Sequence, residues 1–293
     1  MTTIARTVTN GLNLRKLAFW LNTNRVLTAG IILATMLLFI GYALPLFIDQ
    51  DNARLGAAQA RQSPTLEHVF GTDTQGRDVW TVWVLGMGQT LKVGFIAAAA
   101  GVGIGMALGL SSGYFGGIWD SVIRTINDVA ITIPAIAILI LVAASVQNIT
   151  VEIMALIVAL FTWTQPTRTI RAQVLTLRER SYIHIAKLNG LEGVELVVKE
   201  ILPNLLPFVA TQFVWAFSVA VLATIGLEAL GLGPDNEHTL GMMVYWVRFY
   251  SGVLRNLWWW WVPPIAAIGL IFITLYMLSI GLDKYANPRI QRD

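Results

Sequence analysis

The chain has 293 residues, of which 56% are hydrophobic and 13% charged, and its formal net charge at pH 7 is +3. Its mean hydropathy of +0.65 is too high for an ordinary soluble domain and typical of an integral membrane protein. The absence of cysteine excludes a disulfide framework, thiolate metal sites and cysteine nucleophiles. Composition therefore predicts a membrane protein whose long apolar segments are transmembrane helices.

The N-terminal region consists of a basic tail and one long apolar segment. Residues 1–25 contain basic but no acidic side chains, and residues 26–48 are apolar over a length that can cross about 30 Å of hydrocarbon. The apolar core of a secretory signal has only about 7–15 residues. We therefore predict an uncleaved first transmembrane helix at 26–48, preceded by a tail.

Residues 49–88 form a polar loop with a dense cluster of glycines and charges. We predict a tight hydrogen-bonded turn in front of a helix, because glycine and aspartate favour turns. Arg77 would pair with Asp73 or Asp78 and make the turn an external structural clasp. No metal is expected, since His68, Asp73 and Asp78 do not supply three convergent ligands at a credible spacing. The predicted clasp residues are Gly71, Thr72, Asp73, Gly76, Arg77 and Asp78.

The second predicted span, from about residue 90 to residue 114, carries a small residue at every fourth position. These residues are Ala97, Gly101, Gly105, Gly109 and Gly113. Their spacing stacks them on one helix face, where the backbone of a neighbouring helix can approach closely. A glycine-rich nucleotide loop is the alternative, but no Lys-Ser/Thr pair follows the glycines, so ATP binding is not predicted.

The third predicted helix covers residues 120–146. Asp120, Arg124 and Asp128 follow one another at intervals of four residues, which predicts pairing within the helix. Pro134 predicts a kink in it.

Three further spans are predicted at about 150–166, 205–227 and 262–282. The fourth span ends in polar residues, and the fifth contains a glutamine. Hydrocarbon would leave such groups without hydrogen-bond partners. Thr164, Gln165 and Gln212 are therefore predicted to line a translocation path or to make contacts between helices.

A polar segment at 177–207 separates the fourth and fifth spans and must lie in water. Its pattern predicts a first short helix with Ser181 as N-cap, stopped by Gly190, since glycine takes a left-handed backbone without steric penalty. A second short helix from Val194 is predicted to end at Pro203 and Pro207. The first helix carries an apolar stripe that predicts docking in a groove of a partner: Ile183, Ala186 and Leu188.

This segment resembles the cytoplasmic coupling loop of ABC importer permeases, whose pattern is E-A-A, three residues, G, nine residues, I-x-L-P. The matching residues are Ala186, Gly190, Leu202 and Pro203. His184-Ile185 replace the Glu-Ala pair, and Glu200 takes the isoleucine position. The resemblance implies contact with an ATPase subunit. The residues expected to couple the two proteins are Tyr182, Ile183, Ala186, Leu188, Gly190, Leu202 and Pro203.

Other segments resemble the C-type permease of dipeptide and oligopeptide ABC importers, a family that also handles nickel complexes and oligosaccharides. Residues 68–78 are similar to its H-P-L-G-T-D-x-x-G-R-D motif, with Val69-Phe70 in place of Pro-Leu. Residues 228–233 and 258–264 resemble its E-T-A-L-S-F-L-G-L-G and W-W-x-x-x-x-P segments, and residues 287–289 its terminal D-P-R. The family's polar Asn and Gly-Asp are missing from the last helix.

The resemblance implies an all-α membrane protein with the six transmembrane helices of a type I ABC importer permease. Residues 89–283 would hold the last five helices and the coupling loop 177–207, and residues 284–293 a cytoplasmic tail. The implied partners are a second homologous permease, two cytoplasmic ATPase subunits, an extracytoplasmic solute-binding protein and the lipid membrane, with no nucleic acid. This chain would itself be non-catalytic and bind no cofactor, because ATP and Mg belong to the ATPase subunits.

The distribution of charge predicts the orientation. With six spans, most of the 20 lysines and arginines fall on the side that holds both termini and the 177–207 segment. The positive-inside rule places that side in the cytoplasm and the clasp and tryptophan run outside. The predicted location is the cytoplasmic (inner) membrane of a prokaryote.

The sequence leaves several alternatives for the function. Peptide is the first expected substrate, because of the resemblance, and oligosaccharides or nickel complexes are the alternatives. The four tryptophans at 258–261 predict an interfacial belt or, alternatively, a stacking platform for sugar rings. A secondary transporter is disfavoured because neither inverted repeats nor intramembrane charges are visible. An intramembrane hydrolase is disfavoured because His68, His184 and His238 fall in predicted loops.

Overall fold

The computed structural model of the chain describes residues 24–286, and its regular structure there is helical. The α-helices are α1 Arg25–Leu38, α2 Val79–Phe115, α3 Gly117–Thr132, α4 Ala135–Ser145, α5 Val151–Thr162, α6 Thr164–Arg178, α7 Ser181–Leu188, α8 Gly193–Leu196, α9 Leu202–Ala229, α10 Leu240–Phe249 and α11 Trp258–Ala286. Turns of 3-10 or π geometry lie at Phe39–Ala43, Leu44–Leu46, Gln50–Ala53 and Val197–Ile201. Both predicted tails, with Asn287-Pro288-Arg289, fall mostly outside the described residues.

Four helical segments are long and apolar enough to cross a membrane. They are Arg25–Leu46, Val79–Phe115, Gly193–Ala229 and Trp258–Asp283, and α3 with α4 makes a fifth if the two count as one bent span. The predicted fourth span is shorter than expected, since α5 has 12 residues, or about 18 Å. The described part of the chain is thus an all-α, multi-pass membrane protein with four or five candidate spans, and six spans stay a prediction.

The second span begins earlier than predicted. α2 starts at Val79 and not near residue 90, so the polar loop ends at residue 78. The reason is local, because the carboxylate of Asp78 accepts the backbone N–H of Thr81 and caps the first turn of α2.

The third predicted helix is broken at Pro134 into α3 and α4, which are bent by 80° relative to each other. Ile133 and Pro134 both have extended backbones. Proline disfavours the helical conformation of the residue before it and has no N–H to donate. The proline therefore separates two helices here, where a kink within one helix was predicted.

The predicted charge pairing within α3 is wrong for Asp120. Its carboxylate accepts two hydrogen bonds from the guanidinium of Arg171 on α6, at 2.5 Å from Nε and 2.7 Å from Nη2. A bidentate pair of this kind fixes the orientation of two groups more firmly than an i, i+4 pair on an exposed helix face. The ion pair therefore connects α3 to α6.

Pro203 and Pro207 do not end a helix, contrary to the prediction. The chain runs helically from Gly193 through a π turn at Val197–Ile201 into α9. Pro203 lies in the first turn of α9, where the missing N–H removes no bond that α9 itself needs, and Pro207 lies inside α9. The end of the polar segment is thus continuous with the fifth predicted span.

The small-residue face of α2 is the centre of the bundle. Ala97, Gly101, Gly105, Gly109 and Gly113 are all buried, as the spacing predicted. α5 and α6 lie directly against this face, and the hydroxyl of Thr162 donates to the carbonyl of Ala97 at 3.0 Å. A Cβ atom added to Gly101 would lie 2.8 Å from the backbone carbonyl carbon of Thr162. Two backbones therefore meet here at a distance that only glycine allows.

We predict that Gly101→Ala lowers the free energy of unfolding by about 1–3 kcal/mol, the usual cost of overpacking. Gly103→Ala on the same helix is the matched control, since a Cβ atom there would meet nothing within 4 Å. It is expected to be neutral or to stabilise by up to about 1 kcal/mol. Thermal unfolding of the two purified variants in detergent measures the difference. Equal midpoints for both variants would contradict the close approach at Gly101.

Candidate functional site

The clasp is a hydrogen-bonded turn organised by the carboxylate of Asp73. Oδ1 of Asp73 accepts the backbone N–H groups of Gln75 at 2.8 Å and of Arg77 at 2.9 Å. Oδ2 accepts Nε–H of Arg77 at 2.7 Å, and both side chains are buried. Of the two partners predicted for Arg77, the structure pairs it with Asp73. Gly71 and Gly76 take the left-handed backbone that the turn requires.

Asp78 has a different task, at the junction between the clasp and α2. Its Oδ2 accepts from the backbone N–H of Thr81 at 2.8 Å and from the hydroxyl of Thr81 at 2.7 Å. Its Oδ1 lies 3.0 Å from Nδ1 of His68. The aspartates are thus engaged by protein donors, and within residues 24–286 no group of three or more His, Cys, Asp or Glu could hold a metal.

The clasp rests on aromatic side chains from the far end of the sequence. Trp259 Nε1 donates to the carbonyl of Thr72 at 3.3 Å, and Gln75 Nε2 donates to the hydroxyl of Tyr250 at 3.2 Å. The guanidinium carbon of Arg77 lies 6.0 Å from the ring centre of Trp246, within the range of a cation–π contact. We call residues 71–78 together with Trp246, Tyr250, Trp259 and Trp260 the clasp cluster.

The tryptophan run has no single role. Trp260 is 1% exposed and packs against Tyr250, with ring centres 6.4 Å apart, so it neither anchors in a membrane interface nor stacks on a sugar. Trp258 is 52% exposed. The prediction of one uniform belt is therefore wrong for Trp260, which is buried, and Trp259 supports the clasp through its hydrogen bond to Thr72.

Two titratable residues, Glu228 and His238, lie in environments that the sequence did not predict. Glu228 lies in the last turn of α9 and is fully buried. A Cβ atom added to Gly233 would lie 2.8 Å from its Cγ, and one added to Gly241 would lie closer still to its Oε2. Its only signal in the sequence is its place at the start of the 228–233 resemblance. His238, in the loop before α10, has its pKa lowered to about 4 by burial and by the positive charge of Arg77, while Asp73 acts in the opposite direction. No sequence pattern indicated this environment.

The three residues predicted to line a path separate into two places. Thr164 and Gln165 line a groove of about 590 Å³ whose other walls come from α3, α4, α5 and α9, including Ile131, Trp215 and Leu222. Gln212 is not part of that lining. Its Oε1 accepts from the hydroxyl of Thr169 at 2.8 Å and so joins α9 to α6.

The apolar stripe predicted on α7 faces inward in part. Ile183 is 0% exposed and Ala186 is buried, and both belong to a hydrophobic core with Leu196, Ile201 and Leu205. They cannot anchor a partner, so that prediction is wrong for these two residues. The helix period brings other apolar side chains to the surface.

The exposed face of the polar segment is formed by Ile185, Leu188 and Val194. Leu188, which was predicted, is 87% exposed. Gly190 takes the predicted left-handed backbone, with φ +86°, and a Cβ atom there would meet nothing within 4 Å. The predicted cap is wrong, because Arg180 occupies the N-cap position and Ser181 is the first helical residue.

The remaining residues predicted for coupling lie at the two ends of this segment. Tyr182 packs against the same core as Ile183 and is partly buried. Leu202 and Pro203 form the first turn of α9. Leu202 and Pro203 thus connect the polar segment to α9, and they are not part of the exposed apolar face of that segment.

We predict that the stability of the protein falls as the pH drops from about 6.5 to about 4, through His238 beside the clasp cluster. The folded pKa of His238, about 4, is below the reference value of 6.5, so the unfolded state binds the extra proton in this window. His238→Gln should flatten this part of the pH dependence. His184→Gln on the exposed side of α7 is the control and should leave it unchanged. Thermal unfolding at a series of pH values measures both, and identical slopes for wild type and His238→Gln would refute the assignment.

Comparison with known proteins gives the family. Residues 101–292 match the family described as binding-protein-dependent transport system inner membrane component. The dipeptide transport system permease protein DppC of Alkalihalophilus pseudofirmus is 31% identical over 92% of this chain and 88% of its own length. The oligopeptide transport system permease protein OppC of Mycobacterium bovis is 28% identical over 72% of this chain and 74% of its own length, and that of Lactococcus lactis is 25% identical over 85% and 86%. The chain belongs to the family of inner membrane permease components of binding-protein-dependent ABC transport systems.

Proposed function

We propose that this chain is the permease subunit of an ATP-driven, binding-protein-dependent importer of di- and oligopeptides. The observation that carries the proposal is the match to a dipeptide transport permease over 92% of the chain. The family match over residues 101–292 includes the polar segment and the last span. The proposed complex contains a second homologous permease, two cytoplasmic ATPase subunits and an extracytoplasmic binding protein.

The proposed orientation follows from charge. The side that holds the α2–α3 turn and the 177–207 segment carries most of the lysines and arginines and is assigned to the cytoplasm. The clasp cluster would then lie outside the cell membrane and face the binding protein. The chain is proposed to hydrolyse no ATP and to bind no cofactor itself. ATP and Mg would be held by the ATPase subunits.

Uptake by the reconstituted complex tests the substrate. We expect liposomes with ATP on the cytoplasmic side and binding protein on the other to accumulate a labelled di- or tripeptide. Liposomes loaded with ADP serve as the control and should accumulate none. Import of an oligosaccharide or a nickel chelate without import of peptide would refute the proposed substrate while leaving the family unchanged.

The proposed route of coupling runs through the exposed apolar face of Ile185, Leu188 and Val194. This face lies on a segment that must be in water, and apolar side chains at helical spacing are the anchors by which a helix binds in a groove. Behind the face, Ile183 and Ala186 join α7 to the core that includes Leu205 of α9. A movement of an ATPase subunit would therefore reach a membrane span through packed side chains.

We predict that Leu188→Asp lowers both the ATPase stimulation by loaded binding protein and peptide uptake by about tenfold or more, as expected for an interface anchor. Its thermal midpoint should stay unchanged, because Leu188 is exposed. Ile183→Ala provides the contrast, since removal of a buried side chain should cost about 2–5 kcal/mol of stability. Full stimulation and uptake in an assembled Leu188→Asp complex would exclude this face as the coupling surface.

A further inference from the structure

A polar cavity lies between α3 and α6, one helical turn beyond the groove that Thr164 and Gln165 line. Its volume is about 240 Å³, and its walls include Arg124, Asn127, Asp128 and Arg168. Asn127 and Arg168 come four residues from Ile131 and Thr164 of the groove, respectively, which is about one turn on each helix. The cavity therefore continues the groove along the same two helices.

Two arginines on the wall of this cavity, Arg124 and Arg168, are available to bind a ligand. Arg171, also on its wall, is held by the two hydrogen bonds to Asp120. Arg124 and Arg168, by contrast, make no hydrogen bond or ion pair with any residue between 24 and 286, and both are exposed. Three arginines against Asp120 and Asp128 leave a positive balance, so the cavity favours an anionic group.

Asn127 adds a second and independent sign of a ligand. Its side chain is 3% exposed, and within the described part of the chain its Oδ1 atom is buried without a hydrogen-bond partner. Buried polar atoms without a partner are rare, because each costs about 1–3 kcal/mol. An N–H group of a bound molecule would remove this cost.

We propose that this cavity is a binding site for the polar ends of a peptide that leaves the groove. The inference rests on the proposed function of the chain as a peptide permease. The guanidinium groups of Arg124 and Arg168 would bind the terminal carboxylate, since arginine matches carboxylate geometry with paired N–H donors. The carboxylate of Asp128 would accept N–H groups of the main chain or of the ammonium end. Asn127 Oδ1 would accept one after its side chain rotates toward the cavity, since the atom itself is buried. The walls of the groove are mostly apolar, whereas the cavity supplies charged partners for both ends of a zwitterionic peptide.

The chain contains no cysteine, so a single reporter thiol can be placed on the wall with Ile123→Cys. We expect an anionic methanethiosulfonate reagent to modify this thiol in the assembled complex faster than a cationic one. Arg168→Gln should lower the ratio of the two rates about two- to fivefold, the range of a partly exposed charge pair. Arg168→Lys is the matched control and should keep the ratio, because it keeps the charge.

Protection of the same thiol identifies the ligand. A tripeptide with a free carboxylate should slow modification, its C-terminal amide should protect less, and Arg168→Gln should remove the difference between them. An unchanged rate ratio in Arg168→Gln would overturn the inference. So would protection by phosphatidylglycerol in nanodiscs without protection by peptide, which would assign the cavity to lipid phosphate.

Failure of this inference and failure of the proposed function give different results. If the wild-type complex imports no peptide, both are overturned. If it imports peptide, yet peptide does not protect the thiol, only the assignment of the cavity is wrong.

Discussion

The close approach of α2 to α5 and α6 is the constraint on which the rest of the bundle depends. Glycine at every fourth position lets two backbones meet, and in lipid such van der Waals packing has to do what the hydrophobic effect does in water. The position of α6 follows from it, and α6 contributes to the groove, to the polar cavity and to the Asp120–Arg171 ion pair. Displacing α6 by the width of a methyl group would thus disturb the Asp120–Arg171 ion pair and the Thr169–Gln212 hydrogen bond.

Polar groups are placed according to what surrounds them. Between helices, Thr162 donates to a backbone carbonyl of α2 and Thr169 to Gln212 of α9, because hydrocarbon offers no partner. Outside the spans, the clasp uses the carboxylates of Asp73 and Asp78 to order its own backbone and to start α2. Aromatic residues from α10 and α11 pack on this turn, so residues distant in the sequence form one cluster.

The polar segment between the fourth and fifth predicted spans shows how one short helix serves two surfaces. Ile183 and Ala186 pack inward against residues that lead into α9, and Ile185 and Leu188 face outward. The same segment continues without interruption into a membrane span through the π turn at Val197–Ile201. A rigid path from an exposed apolar face to a span is the mechanical requirement for coupling two proteins.

The sequence by itself determined the helical membrane class, the small-residue face of α2, the turn at residues 71–78 and the family, because each depends on composition, local spacing or motif. It could not determine which side of α7 is buried, since an apolar stripe looks the same whether it faces its own core or a partner. Nor could it give the partner of Asp120, the burial of Trp260, the charged neighbours of His238, or the place of Gln212. Those depend on residues tens to hundreds of positions away, and only the tertiary structure, by packing α2 against α6 and the clasp against α10 and α11, brings them within hydrogen-bond distance.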